Sequence, residues 1–182
     1  MFGKNQLTEL NNIEKAVLVM IVTLVGFIYT LFFCYFFSFI SDNFFFPQVY
    51  FAKFWMWFLK NSAINLKTII IFSVGEEVIW RILPLSLLVS LFSKLKDKRL
   101  GNLLLIIAII FLSWGFALEH STSFNIFIQG VLGLIWSYLF LKNGGYRQKF
   151  APAALSVIFS HLAYNLLVLG NGYLFVKWFG GL

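Results

Sequence analysis

An all-α, polytopic membrane helix bundle is the fold class this sequence predicts, with about five to six transmembrane helices and one or two short interfacial helices. Three observations predict it. Of 182 residues, 60% are hydrophobic and only 12% charged, whereas a soluble domain is nearer a quarter charged. Four apolar windows, 16–40, 103–118, 124–141 and 151–170, approach the roughly 20 residues that cross hydrocarbon, and a fifth, 68–92, carries three ionisable residues together. The cations gather between windows: Lys94, Lys96, Lys98 and Arg99 in one loop, Lys142, Arg147 and Lys149 in another. That is the distribution of cytoplasmic loops lying on anionic headgroups, so the net charge of +7 is assigned to membrane lipids and not to nucleic acid.

The elements follow in order. Window 16–40 is too long for a signal-peptide core and lacks a small-residue cleavage site after it, so it reads as a retained anchor with a cytoplasmic N-terminus. The run VYFAKFWMWFLK is aromatic and too short to span. It is expected to lie in the interface with snorkelling lysines, or to re-enter. Window 68–92 carries Gly-Glu-Glu-Val-Ile-Trp-Arg, window 103–118 ends in Phe-Ala-Leu-Glu-His, and window 151–170 contains His-Leu-Ala-Tyr-Asn. The stretch 173–182 is too short to span. The lone Cys34 allows no intrachain disulfide. Without repeats or long linkers, 1–182 reads as a single integral membrane domain with its motif-bearing core at about 68–170.

Charge in hydrocarbon costs several kcal/mol, so it is paired, protonated or facing a cavity. Three of the seven acids (Glu76, Glu77, Glu119) and both histidines (His120, His161) fall within or at the ends of apolar windows. At about 1.5 Å per residue, Glu76 and Glu77 lie roughly 12 Å into the second helix and His161 roughly 13 Å before the end of the fifth. An antiparallel succession then brings the start of helix two and the ends of helices three and five to one membrane side.

Helical spacing separates the two carboxylates. Glu77 and Arg81 are i and i+4, in the order that favours pairing, and read as a structural pair. Glu76 lies about 100° round the helix and is the candidate base. A carboxylate, two imidazoles and a carboxamide are the parts for amide hydrolysis. Glu76 would take a proton from water, and His120 would hold that water or protonate the leaving amine. His161 and Asn165 would donate to the developing oxyanion. Phe116, four residues before His120, reads as packing, and Glu119 as a headgroup-level residue. Glu76, His120 and His161 also make a two-His, one-carboxylate set able to hold zinc with an open position for water.

The three motifs, Glu-Glu-x-x-x-Arg, Phe-x-x-x-His and His-x-x-x-Asn, span about 90 residues, 76–165, in that order. The chain thereby resembles the CAAX protease and bacteriocin-processing (CPBP, or Abi) family of intramembrane proteases. The resemblance implies Glu76 as catalytic base supported by Glu77 and Arg81, His120 in water activation, and His161 with Asn165 at the oxyanion. The family is labelled metallopeptidase and a metal-independent glutamate mechanism is also argued for it, so Zn²⁺ stays open as a cofactor. The implied substrate is a membrane-associated peptide or protein: a leader, a sorting signal, a bacteriocin or a CAAX-like sequence. The implied location is a prokaryotic cell membrane. Two other functions fit the same residues. One is bacteriocin self-immunity or membrane interaction without proteolysis. The other is a proton-coupled transporter, which the absence of an internal repeat disfavours.

Overall fold

The computed structural model describes residues 10–40, 62–119 and 126–179, and among these the chain is helical with no strand. The elements are α1 (Asn12–Ile40), α2 (Ser62–Glu77), a π-helical turn (Val78–Ile82), α3 (Leu83–Phe92), α4 (Lys98–Leu118), a second π-helical turn (Ile126–Gly130), α5 (Val131–Lys142), a 3₁₀ turn (Gly145–Arg147) and α6 (Phe150–Phe179). Because α2, the first π turn and α3 run on without a break, five rods result. Three segments, Asn12–Phe33, Lys98–Leu118 and Phe150–Asn171, are long and apolar enough to cross a membrane. The aromatic run VYFAKFWMWFLK lies outside the described residues.

Two helices are longer than their apolar windows. The motif helix begins at Ser62, before the window at 68, so Glu76 lies roughly 21 Å along it rather than 12 Å. The last helix continues to Phe179 and absorbs most of the segment that the sequence set apart at 173–182. Gly170 and Gly172 cost helix propensity but do not break a ladder whose N–H groups remain intact. His161 therefore lies roughly 27 Å from the end of α6, near the middle of the rod. The polar residues meet at mid-length of their helices, not near one end.

The surface is inverted relative to a soluble protein. Ile28, Phe72, Leu83, Phe111 and Phe159 are each at least 60% exposed, while Glu77, Arg81, Asn143 and Ser160 are buried. An apolar exterior of this extent is stable only against another apolar phase. The core includes Leu85, Val89, Phe116, Leu132, Trp136, Phe140 and Val157.

Small residues set the helix crossings, as expected where dispersion replaces the hydrophobic effect. A Cβ on Gly133 of α5 would stand 3.0 Å from the Ser113 side chain of α4, and one on Gly26 of α1 would stand 2.9 Å from Leu132. The start of α4 is capped by Asp97, whose Oδ1 accepts from the backbone N–H groups of Arg99 (2.8 Å) and Leu100 (3.2 Å).

Candidate active site

The site begins with a break in a hydrogen-bond ladder. Pro84 has no N–H to offer the carbonyl four residues back, and its ring crowds that carbonyl. The ladder responds just upstream: the Leu83 N–H bonds to the Val78 carbonyl, five residues back. Such π turns are frequent at functional sites. This one starts directly after Glu77 and carries Trp80 and Arg81.

Glu77 and Arg81 form the expected pair. Arg81 Nη1 donates to Glu77 Oε1, and both side chains are buried. The guanidinium is lined by aromatic faces, with its Cζ 4.4 Å from the Phe116 ring centroid and 4.9 Å from that of Trp136. Cation–π attraction thus replaces part of the hydration that the charge gave up.

The same carboxylate oxygen has a second partner from α6. His161 Nδ1 lies 2.7 Å from Glu77 Oε1. A carboxylate paired with Arg can only accept, so the proton of this bond belongs to Nδ1. That assigns the tautomer and leaves Nε2 facing outward. Nε2 stands 3.6 Å from Glu76 Oε2. Glu76 is 27% exposed at its side chain, against 4% for His161 and 0% for Glu77. The three residues form a graded series: a buried carboxyl group, an oriented imidazole, and a partly exposed carboxyl group.

Asn165 completes a second rung. Its Nδ2 donates to Ser73 Oγ at 2.9 Å. Ser73 is one turn before Glu77 on α2, and Asn165 is one turn after His161 on α6. The rungs Ser73–Asn165 and Glu77–His161 therefore cross-link two antiparallel helices, in the relative direction that alternating spans predict. Ser73 was not singled out by the sequence, where a serine in IIIFSVG reads as one more small residue.

Trp136 is another residue that the sequence did not single out. Its indole stacks on the His161 ring, with centroids 4.2 Å apart and planes 25° apart. Phe116 meets the same imidazole edge-on at 6.2 Å and 90°, consistent with the packing role expected for it. Trp136 Nε1 donates to Ser160 Oγ (3.2 Å), which shares a hydrogen bond with Thr23 Oγ1 of α1 (2.9 Å). A turn further on, Thr30 Oγ1 and the Tyr164 hydroxyl pair at 2.8 Å, and Tyr164 packs edge-on against Trp136 at 5.4 Å. The first helix thereby supports the imidazole's stacking partner. The signal available was Thr23, Gly26 and Thr30 on one stripe of α1, a small-residue face in an otherwise bulky helix.

Trp80, in the π turn, lies over Gly115 of α4, where a Cβ would come within 2.6 Å of its ring. Its Nε1 donates to Glu119 Oε2 at 2.9 Å. Glu119 is thus a partner of the motif helix in addition to being exposed at the end of α4. His120 lies outside the described residues.

A family model described as type II CAAX prenyl endopeptidase Rce1-like matches residues 51–167. The matched span holds every motif residue from Glu76 to Asn165, while α1 precedes it. No match was found among curated proteins or among solved structures.

Proposed function

The chain belongs to the type II CAAX prenyl endopeptidase Rce1-like family and is an integral membrane protein, and from that premise we propose that it hydrolyses a peptide bond in a membrane-associated peptide or protein with Glu76 as the base. One observation carries the reading: the Glu76 side chain is partly exposed, and its Oε2 stands 3.6 Å from His161 Nε2, whose other nitrogen is held by Glu77. A gap of 3.6 Å is too long for a direct hydrogen bond and invites a bridging water. Glu76 takes a proton from that water as its oxygen bonds to the scissile carbonyl carbon. The C–N bond then breaks, and the amine leaves with a proton. Asn165 has two N–H groups, one engaged by Ser73, and the other is the proposed oxyanion donor. His161 Nε2, once Glu76 has passed the water's proton to it, is the second donor, and that proton is the one that leaves with the amine. His120 is proposed to assist the water or the leaving amine.

Glu76→Gln retains size and removes the base. On a membrane-presented peptide cleaved by the wild type, it is expected to lower kcat by about 10²–10⁴, the usual worth of general-base catalysis. Wild-type turnover by folded Glu76→Gln would refute the mechanism. Full protection of bacteriocin-challenged cells by that variant would instead assign the chain to immunity by binding.

The separation of this pair is also that of two zinc ligands, although among the described residues no third His, Cys, Asp or Glu completes a ligand set. Bonds of about 2.0–2.2 Å place two ligands of one tetrahedral zinc roughly 3.4 Å apart, close to the observed 3.6 Å. A ligating histidine ordinarily gives its other N–H to a carboxylate, as His161 does to Glu77. Glu76 and His161 would hold the ion together with His120, and the zinc would supply an activated water. Elemental analysis of the purified protein tests this reading: stoichiometric zinc, lost together with activity on chelation, supports it, and full activity in strong chelator excludes it.

A further inference from the structure

A second cavity lies between α4 and α5. It measures about 80 Å³ and is lined at one end by Asn102, Lys142 and Tyr146 and along its length by Leu105, Ile106 and Ile109, among others. None of these residues belongs to the Glu76–His161 site. Tyr146 donates its hydroxyl proton to Asn102 Oδ1 at 2.9 Å, clamping the 3₁₀ turn onto the start of α4. Gln148 Nε2 donates to Ser93 Oγ at 3.0 Å, tying the two basic loops together. The lining of the groove is apolar, with the stem of half-buried Lys142 in its wall, and its Asn102–Tyr146 end lies beside the loops that carry Lys94, Lys96, Lys98, Arg99, Arg147 and Lys149. Asp97, the acid in that stretch, is engaged in capping α4.

A groove with a cationic mouth and an apolar body has the polarity of one kind of molecule. A free anion has no use for Ile106 and Ile109, and a neutral lipid has no use for Lys142. We propose that this groove binds an anionic glycerophospholipid, with its phosphate against Lys142 and an acyl chain along Leu105, Ile106 and Ile109. Lysine stems pack on apolar surface while the ammonium stays at headgroup level, and anionic lipid is attracted to such cations.

The test uses full-length protein in bilayers of equal phosphatidylglycerol and phosphatidylcholine with matched chains, followed by native mass spectrometry of retained lipid. The wild type is expected to retain phosphatidylglycerol preferentially. Lys142→Gln is expected to lower the ratio of the two retained lipids about five-fold, the worth of one cation at a lipid surface. Ile106→Trp, at a half-exposed position, is expected to fill the groove and reduce retention of both lipids. Wild-type retention by either folded variant would overturn the proposal. So would a ratio that falls with Arg147→Gln and Lys149→Gln but not with Lys142→Gln, because loop charge alone would then hold the lipid. If Ile106→Trp fails to fold, the Lys142→Gln ratio decides.

Discussion

Arg81→Met is expected to destabilise the folded protein by about 3–5 kcal/mol, the usual result of removing one member of a buried ion pair. In a chain of this size that is a fall in thermal midpoint of roughly 10 °C or more. The cause is local. Glu77 is fully buried, and its Oε1 receives both Arg81 Nη1 and His161 Nδ1. Its Oε2 has no hydrogen-bond partner among the described residues. Without Arg81, a buried carboxylate keeps only an imidazole, and Phe116 and Trp136 lose the cation lying between their faces. Thermal unfolding in detergent measures the effect. A midpoint within 2 °C of wild type would mean that the pair is not a structural element.

Glu77→Gln is expected to lower kcat by about 10³–10⁴ with little change in KM, the scale seen when a carboxylate that orients a catalytic histidine becomes an amide. The amide can accept or donate, so it no longer compels Nδ1 to hold the proton. Nε2 then presents hydrogen or lone pair to Glu76 without discrimination. The variant also leaves Arg81 buried without its counter-charge, so rates must be referred to folded protein. Adding Arg81→Met to it should destabilise by less than the sum of the two single changes, because one cause is being counted twice. The tautomer has a readout independent of substrate. The chain holds two histidines, so ¹⁵N spectra are assignable with one His161→Gln control. Wild-type His161 is expected as the Nδ1–H form and Glu77→Gln as a mixture. An Nε2–H wild type would remove the basis of the proposed mechanism.

These predictions revise the sequence reading at one point. Spacing divided the carboxylates into a structural Glu77 and a working Glu76. The structure retains the Glu77–Arg81 pair but adds His161 to it, so Glu77 is also the residue that orients the imidazole. The spacing rule could not include this contact, because it describes neighbours on one helix and His161 is 84 positions away.

Composition and charge placement by themselves determined that this is a membrane bundle. Polar surface is too scarce for any other fold, and a helix is the simplest way to satisfy a backbone within lipid. Periodicity within single helices determined the Glu77–Arg81 pair, and alternation of spans determined that the motif helix and the last helix run antiparallel. Tertiary structure alone decided the depth of the site, because helix ends at Ser62 and Phe179 depend on packing beyond the apolar windows. It alone brought Trp136, Ser160, Ser73 and Thr23 to the site, because these residues act through neighbours on other helices. A tryptophan in an apolar helix looks the same in sequence whether it faces lipid or, as here, lies flat on a histidine.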